Sequence, residues 1–186
     1  YFEYNDIRQP NRNKLLWRDP SVDGLKTGHT EEAGYCLTAS AVKDQTRLIA
    51  VVLGTRSEAA RAQETQKLFA YGFRYFETHK LYDAEQILDQ RDIWLGQESE
   101  VALGLGSELF VTVPRGTQGD LDVDLITEEY LQAPVSKGQV VGTLKVSKDG
   151  ELIVEKPLIA LVDVEEAGFF GRLIGKIKLF FARLLG

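Results

Sequence analysis

The 186-residue chain contains no methionine, one cysteine and two histidines, and each shortage closes off a class of protein. A lone cysteine, Cys36, excludes an intramolecular disulfide framework, and one thiol with two imidazoles leaves little from which to build a zinc site. No run approaches the ~20 apolar residues that a spanning helix needs. The opening Tyr1-Phe2-Glu3-Tyr4 has neither a basic nor an apolar leader region, so no signal peptide is visible. With no initiator methionine, the sequence reads as the C-terminal part of a longer protein. Proline and glycine number only 5 and 17, and charged residues make up 27%, which excludes collagen-like repeats and bulk disorder. The net charge of −6 argues against nucleic acid as a partner.

What is present is a chain that is 44% hydrophobic, enough for one ordinary domain or two small ones. Its charge is uneven. Residues 1–78 carry 11 basic and 10 acidic side chains, residues 79–168 carry 7 and 18, and residues 169–186 carry four basic and none acidic. These steps fall near changes in pattern and suggest three parts, at 1–78, 79–166 and 167–186.

In the first part, residues 5–20 are polar and aperiodic and read as loop or extended chain. Gly34 to Val42 and Thr46 to Gly54 are apolar and β-branched around Lys43-Asp44-Gln45, which predicts an antiparallel hairpin. Ile49-Ala50-Val51-Val52-Leu53 shows no alternation, so that strand is expected to be buried on both faces. Ser57 to Glu77 reads as a helix with Ser57 as N-cap and Ala62, Leu68, Phe69, Gly72, Phe73 and Phe76 as its apolar stripe. In the second part, six short β-branched runs separated by turn signals predict a small β-sandwich or barrel. Asp149-Gly150 is the strongest hairpin signal among them.

Residues 169–185 form an amphipathic helix. Phe170, Leu173, Ile174, Ile177, Phe180, Phe181, Leu184 and Leu185 fall within about 140° of arc, with Arg172, Lys176 and Arg183 opposite. Leu179 interrupts the polar face. Two readings stand: a helix docked on its own domain, or a basic helix lying in an anionic membrane interface. At 1.5 Å per residue it reaches only about 25 Å, too short and too charged to span.

The stretch that carries chemistry is Val22-Asp23-Gly24-Leu25-Lys26-Thr27-Gly28-His29-Thr30. Lys26-Thr27-Gly28 matches the K-T-G element of the penicillin-recognising serine hydrolases. Alone it is weak, expected by chance in about 4% of chains this long, and a surface lysine beside a Thr-Gly turn would look the same. The flanks add to it. Asn11-Arg12-Asn13, Leu16-Trp17, Ala33-Gly34-Tyr35, Ala39-Ser40-Ala41, Gly72-Phe73-Arg74, Phe76-Glu77-Thr78, Pro114-Arg115-Gly116, Val140-Val141-Gly142-Thr143 and Gly168-Phe169-Phe170-Gly171 all fit one family, in order. From about residue 5 to its end the sequence resembles the C-terminal half of the low-molecular-mass penicillin-binding proteins that act as D-alanyl-D-alanine carboxypeptidases.

The resemblance implies an α/β (α+β) fold: part of a serine β-lactamase/transpeptidase-like domain over 1–78, a small all-β sandwich-like domain over 79–166, and an amphipathic anchor over 167–186. Lys26, Thr27 and Gly28 would edge the cleft. Lys26 would set charge beside the nucleophile, Thr27 would meet the terminal carboxylate of the substrate, and the His29 backbone N–H would be an oxyanion donor. Arg61 matches an arginine used at that carboxylate. Read without the family, it sits in the first turn of the expected helix, where the dipole favours an anion; the alternative is an exposed helix arginine with Glu58 or Glu64 as partner. The implied function is removal of the terminal D-alanine from peptidoglycan pentapeptides through a serine acyl-enzyme, with β-lactams as inhibitors and neither cofactor nor metal. The implied place is the periplasmic face of the bacterial inner membrane, with the terminal helix on anionic lipid.

The family's S-x-x-K and S-x-N elements would precede Tyr1, so the chain by itself is expected to be inactive. One S-x-x-K match, Ser40-Ala41-Val42-Lys43, sits on an expected strand, where residues three apart face opposite sides. Ser40 therefore reads as structural. The rival readings are a related β-lactamase and a non-catalytic membrane-associated β-domain protein with a vestigial K-T-G strand.

Overall fold

The computed structural model describes residues 2–185, apart from the side chains of residues 2 and 185. The described residues form thirteen strands and three α-helices in the order β1 (Phe2–Tyr4), β2 (Ile7–Gln9), α1 (Leu15–Arg18), β3 (Val22–Thr30), β4 (Gly34–Lys43), β5 (Thr46–Thr55), α2 (Glu58–Tyr75), β6 (Phe76–Tyr82), β7 (Asp89–Trp94), β8 (Glu100–Gly104), β9 (Leu109–Pro114), β10 (Leu121–Thr127), β11 (Leu131–Gln132), β12 (Val140–Lys148), β13 (Glu151–Ala160) and α3 (Phe169–Leu185). It divides into two compact units, one holding residues up to His79 together with Thr112–Gly116, the other Lys80–Val111 with the chain from Thr117 onward. The mixed α/β composition, dominated by strands and closed by a C-terminal helix, is the coarse fold that the sequence implied.

The first unit is built on an antiparallel meander, β3-β4-β5. Leu37 pairs with Val52 and Ala39 with Ala50, so these alternate residues share one face of the sheet. Helix α2 covers that face with Ala62 and Phe69, and with Leu15, Val22, Ala41 and Ala50 they make the core. Alanines on the sheet let the helix come close. At Gly72 a Cβ would sit only 2.5 Å from Leu48 Cδ1, so a larger residue there would force the Leu48 side chain to move. The opposite face of β5 is bare. Ile49, Val51 and Leu53 are exposed, where the unbroken apolar run had suggested burial on both sides. No element among the described residues covers that face.

Two further departures have local causes. Residues 5–20 are not all irregular, because Asn5 and Asp6 take positive φ (48° and 63°) and close the β1–β2 hairpin. Helix α2 stops at Tyr75 instead of reaching Glu77. Arg115, forty residues on, donates from its backbone to the Tyr75 carbonyl at 2.8 Å and from its guanidinium to the Phe73 carbonyl at 3.0 Å. A tertiary contact thus caps the helix, and Phe76 starts a strand that pairs with β9.

The second unit is a six-stranded sheet in the order β10-β12-β13-β8-β7-β11, antiparallel except where β11 joins β7 in parallel. Leu103, Val101, Leu158, Ala160 and Val164 lie at its core. The β12–β13 turn is Asp149-Gly150, at φ 51° and 80°, as the sequence signal required. Helix α3 belongs to this unit and is attached by the side opposite its apolar stripe. Leu179 is buried, the Tyr130 hydroxyl donates to the Ala182 carbonyl at 3.4 Å, and Arg183 lies over the Tyr130 ring. Phe170, Leu173, Ile174, Ile177, Phe180, Phe181 and Leu184 remain exposed. The Leu185 side chain lies outside the described residues. Leu179, which seemed an interruption of the polar face, is the residue that docks it.

Candidate active site

The site grows from one edge of the meander. Strand β3 carries Lys26, Thr27, Gly28 and His29, paired with Thr38, Leu37, Cys36 and Tyr35 of β4. The other side of β3 has no strand partner among the described residues, so its backbone can pair with an extended peptide. An open cleft of about 900 Å³ lies along it, bounded by residues 25–29, by the 9–12 segment and by the start of α2.

Three local devices hold these walls in place. Asn13 is fully buried. Its Nδ2 donates to the Gly24 carbonyl at 2.9 Å and its Oδ1 accepts from the Leu15 N–H at 3.1 Å, which ties the 9–14 segment to β3. Ser57 caps α2, its Oγ accepting from the Ala60 N–H at 3.1 Å. His29 and Tyr35 face each other across the β3–β4 ladder, ring centroids 3.9 Å apart.

Arg61 is not an exposed helix arginine, the alternative that its position left open. It is 4% exposed, on the first turn of α2 at the cleft wall. Its guanidinium is 3.4 Å from the carbonyl oxygens of Gly28 and Arg12, 3.7 Å from Glu58 Oε1, and 5.6 Å from the Tyr35 ring centroid. Glu64, the other candidate partner, pairs with Lys67 instead. Glu58 is held by Lys14, Oε2 to Nζ 2.7 Å. The Lys14 ammonium, with Arg61 and Arg12 adding, draws the Glu58 carboxyl below the usual carboxylate range. Lys26 Nζ donates to the Thr27 carbonyl at the cleft.

Lys26, Thr27, Gly28, His29 and Arg61 therefore line one cleft, as do Arg12, Tyr35 and Glu58, which the sequence reading did not assign to it. Tyr35 could have been found by pairing it with His29 across the hairpin. Glu58 was legible only as one of two candidate partners of Arg61. Ser40 is buried and its Oγ accepts from Arg47, itself paired with Asp23, an arrangement that occupies the hydroxyl within the sheet. Among the described residues no cluster of His, Cys, Asp or Glu could hold a metal. The helix residues named for membrane contact are not part of this site.

Two family models match the chain. The model described as D-alanyl-D-alanine carboxypeptidase matches residues 1–57, and that described as penicillin-binding protein 5, C-terminal domain, matches residues 76–166. The D-alanyl-D-alanine carboxypeptidase DacC of Escherichia coli (strain K12) is 45% identical over 187 residues, covering 100% of this chain and 47% of the relative. The DacA enzyme of the same organism is 42% identical, with 100% and 46% covered. A crystal structure of penicillin-binding protein 5 from Haemophilus influenzae is similar with a TM-score of 0.79 at 40% identity, covering 89% of this chain and 49% of that one. The chain spans about half the length of these curated relatives. With both of its parts matched and similarity running along its whole length, the chain belongs to the low-molecular-mass penicillin-binding proteins, the D-alanyl-D-alanine carboxypeptidase family.

Proposed function

We propose that the full-length protein is a serine-type D-alanyl-D-alanine carboxypeptidase that trims the terminal D-alanine from peptidoglycan pentapeptides, and that this chain contributes one wall of its site. The observation that carries this reading is the convergence of Lys26, Thr27, Gly28, the His29 backbone and the buried Arg61 on a cleft beside an edge of β3 that no described strand pairs with. The substrate peptide lies antiparallel or parallel to β3 and pairs with its backbone. Its terminal carboxylate meets Arg61, where the first turn of α2 also favours an anion, and the Thr27 hydroxyl donates to it.

The nucleophile is a serine upstream of Tyr1, activated by the lysine of its own S-x-x-K element. Its Oγ attacks the carbonyl carbon between the two D-alanines. The developing oxyanion accepts a hydrogen bond from the His29 N–H. The C–N bond breaks, the departing D-alanine amine takes a proton, and an acyl ester remains on serine. Water then cleaves the ester and regenerates the hydroxyl. The Lys26 ammonium adds positive potential where negative charge forms. β-Lactams acylate the same serine. Without that serine the present chain is inactive. The exposed stripe of α3 rests on anionic lipid at the periplasmic face of the inner membrane.

Labelling by a fluorescent penicillin tests this. The full-length gene product should label, Lys26→Ala should abolish the label, and the 186-residue chain should not label. Absence of label on the full-length product would overturn the carboxypeptidase reading, and label on the short chain would return Ser40 to consideration.

A further inference from the structure

We propose that Lys14 and Glu58 form a positioning pair that keeps Arg61 available to the terminal carboxylate of the substrate. The inference rests on the carboxypeptidase reading and extends it to two residues that touch no substrate.

Arg61 is buried but loosely bonded. Its contacts to the Gly28 and Arg12 carbonyls are both 3.4 Å, and Glu58 Oε1 is 3.7 Å away. Charge-assisted bonds to a guanidinium usually run about 2.7–2.9 Å, so none of its oxygen neighbours satisfies it fully. A buried arginine in that condition is poised to bind an anion. The nearest anion is Glu58, three residues earlier on the same helix and within reach. A bidentate Glu58–Arg61 pair would fill the carboxylate subsite from inside the protein. Glu58 does not do this, because its other oxygen is 2.7 Å from Lys14 Nζ. Lys14 comes from the turn that precedes α1, on the segment that Asn13 pins to β3. The two-cation arrangement leaves Glu58 close enough to offset the Arg61 charge and too far to occupy the carboxylate position. Glu58 is the sole carboxylate on the cleft wall among the described residues. The Lys14 ammonium, with Arg61 and Arg12 adding, favours the ionised form of Glu58.

The two residues should then act with opposite signs and through each other. In the full-length product, with an N-acylated D-alanyl-D-alanine peptide as substrate, Lys14→Gln releases Glu58 onto Arg61. KM should rise roughly two- to fivefold, the scale of a half-exposed ion pair, with the loss in KM rather than kcat. Lys14→Arg should restore KM. Glu58→Gln should lower KM. In the Glu58→Gln background, the further change Lys14→Gln should have little effect. Both side chains are half exposed, so the variants should fold, and retained penicillin labelling verifies it. An equal rise in KM from Lys14→Gln in both backgrounds would overturn the proposal, because Lys14 would then act as a cation in its own right. An unchanged KM in Lys14→Gln would overturn it too. If the wild-type product neither labels nor turns over, the carboxypeptidase reading fails first and this inference with it.

Discussion

Gly175 of α3 lies against Leu95, so close that a Cβ built on it would be 2.9 Å from Leu95 Cδ2 and 3.7 Å from the Leu95 Cα. One turn on, Leu179 is buried, and beyond it Ala182 and Arg183 meet Tyr130. Residues 175, 179, 182 and 183 fall within about 100° of arc, opposite the apolar stripe. The helix is thus attached to its own unit by small and mixed residues while its most hydrophobic side chains point away. Gly175→Leu should push the helix off. Leu179→Ala should loosen it by about 2 kcal/mol, the low end for a buried leucine. Amide hydrogen exchange across residues 169–185 should accelerate in both variants, with the β12–β13 hairpin unchanged. Equal protection in Gly175→Leu would mean that the seam does not hold the helix.

Arg61 stands on the first turn of α2, and that turn is fixed by the Ser57 cap. Ser57→Ala leaves the Ala60 N–H without its acceptor and should cost about 1 kcal/mol. Ser57→Asp should recover most of this, since an anionic cap also suits the helix dipole. Urea unfolding of the three proteins measures it, and a Ser57→Ala variant as stable as its parent would show that the cap contributes nothing.

Glu77 ties the end of α2 to the 112–116 segment. Its Oε1 accepts from the Gly116 N–H at 2.8 Å and lies 3.1 Å from His79 Nε2, and its Oε2 meets Arg115. The Gly116 N–H, then His79 and Arg115, hold its carboxyl below the usual glutamate range. The folded state therefore favours the ionised form more than the unfolded chain does. The resulting stability is present above the ordinary glutamate value and is lost as pH falls through the lower folded one. Between about pH 5 and pH 3 the Tm of the wild type should fall more steeply than that of Glu77→Gln. Parallel curves would remove Glu77 from the acid response.

The sequence was most legible where local rules decide. The 34–55 hairpin, the Ser57 cap, the Asp149-Gly150 turn and the terminal helix follow from turn chemistry and period. It misled where a distant partner decides. The 49–53 run is uniformly apolar, yet Ile49, Val51 and Leu53 face outward, because periodicity reports what a residue tolerates and not whether a neighbour arrives to cover it. Phe76 continued a helical stripe until Arg115 capped the helix before it. At the site, the K-T-G strand was visible as a motif. The burial of Arg61 and the Lys14–Glu58 contact were not, since they depend on how the 9–14 segment, β3 and α2 meet in space.

The outward stripe of α3 is apolar and uncovered by any described residue. Phe170, Phe180 and Leu184 are each more than 60% exposed, an apolar surface that water penalises and a lipid interface would cover. The same helix holds Arg172, Lys176, Lys178 and Arg183 and no acidic residue. An apolar stripe beside cations suits an interface of acyl chains and anionic headgroups. Both terms can be separated by co-sedimentation with vesicles. Anionic vesicles should bind the protein more tightly than zwitterionic ones, and added salt should narrow the gap. Neutralising Lys176 or Lys178 with glutamine should weaken binding to anionic vesicles roughly fivefold each, about 1 kcal/mol per basic residue, with little change on zwitterionic ones. Phe180→Ser should weaken both. Gly175→Leu, which frees the helix without altering stripe or charge, should leave vesicle affinity intact. If Phe180→Ser bound as well as the parent, the stripe would not be the lipid-facing surface, and its exposure would need a protein partner instead.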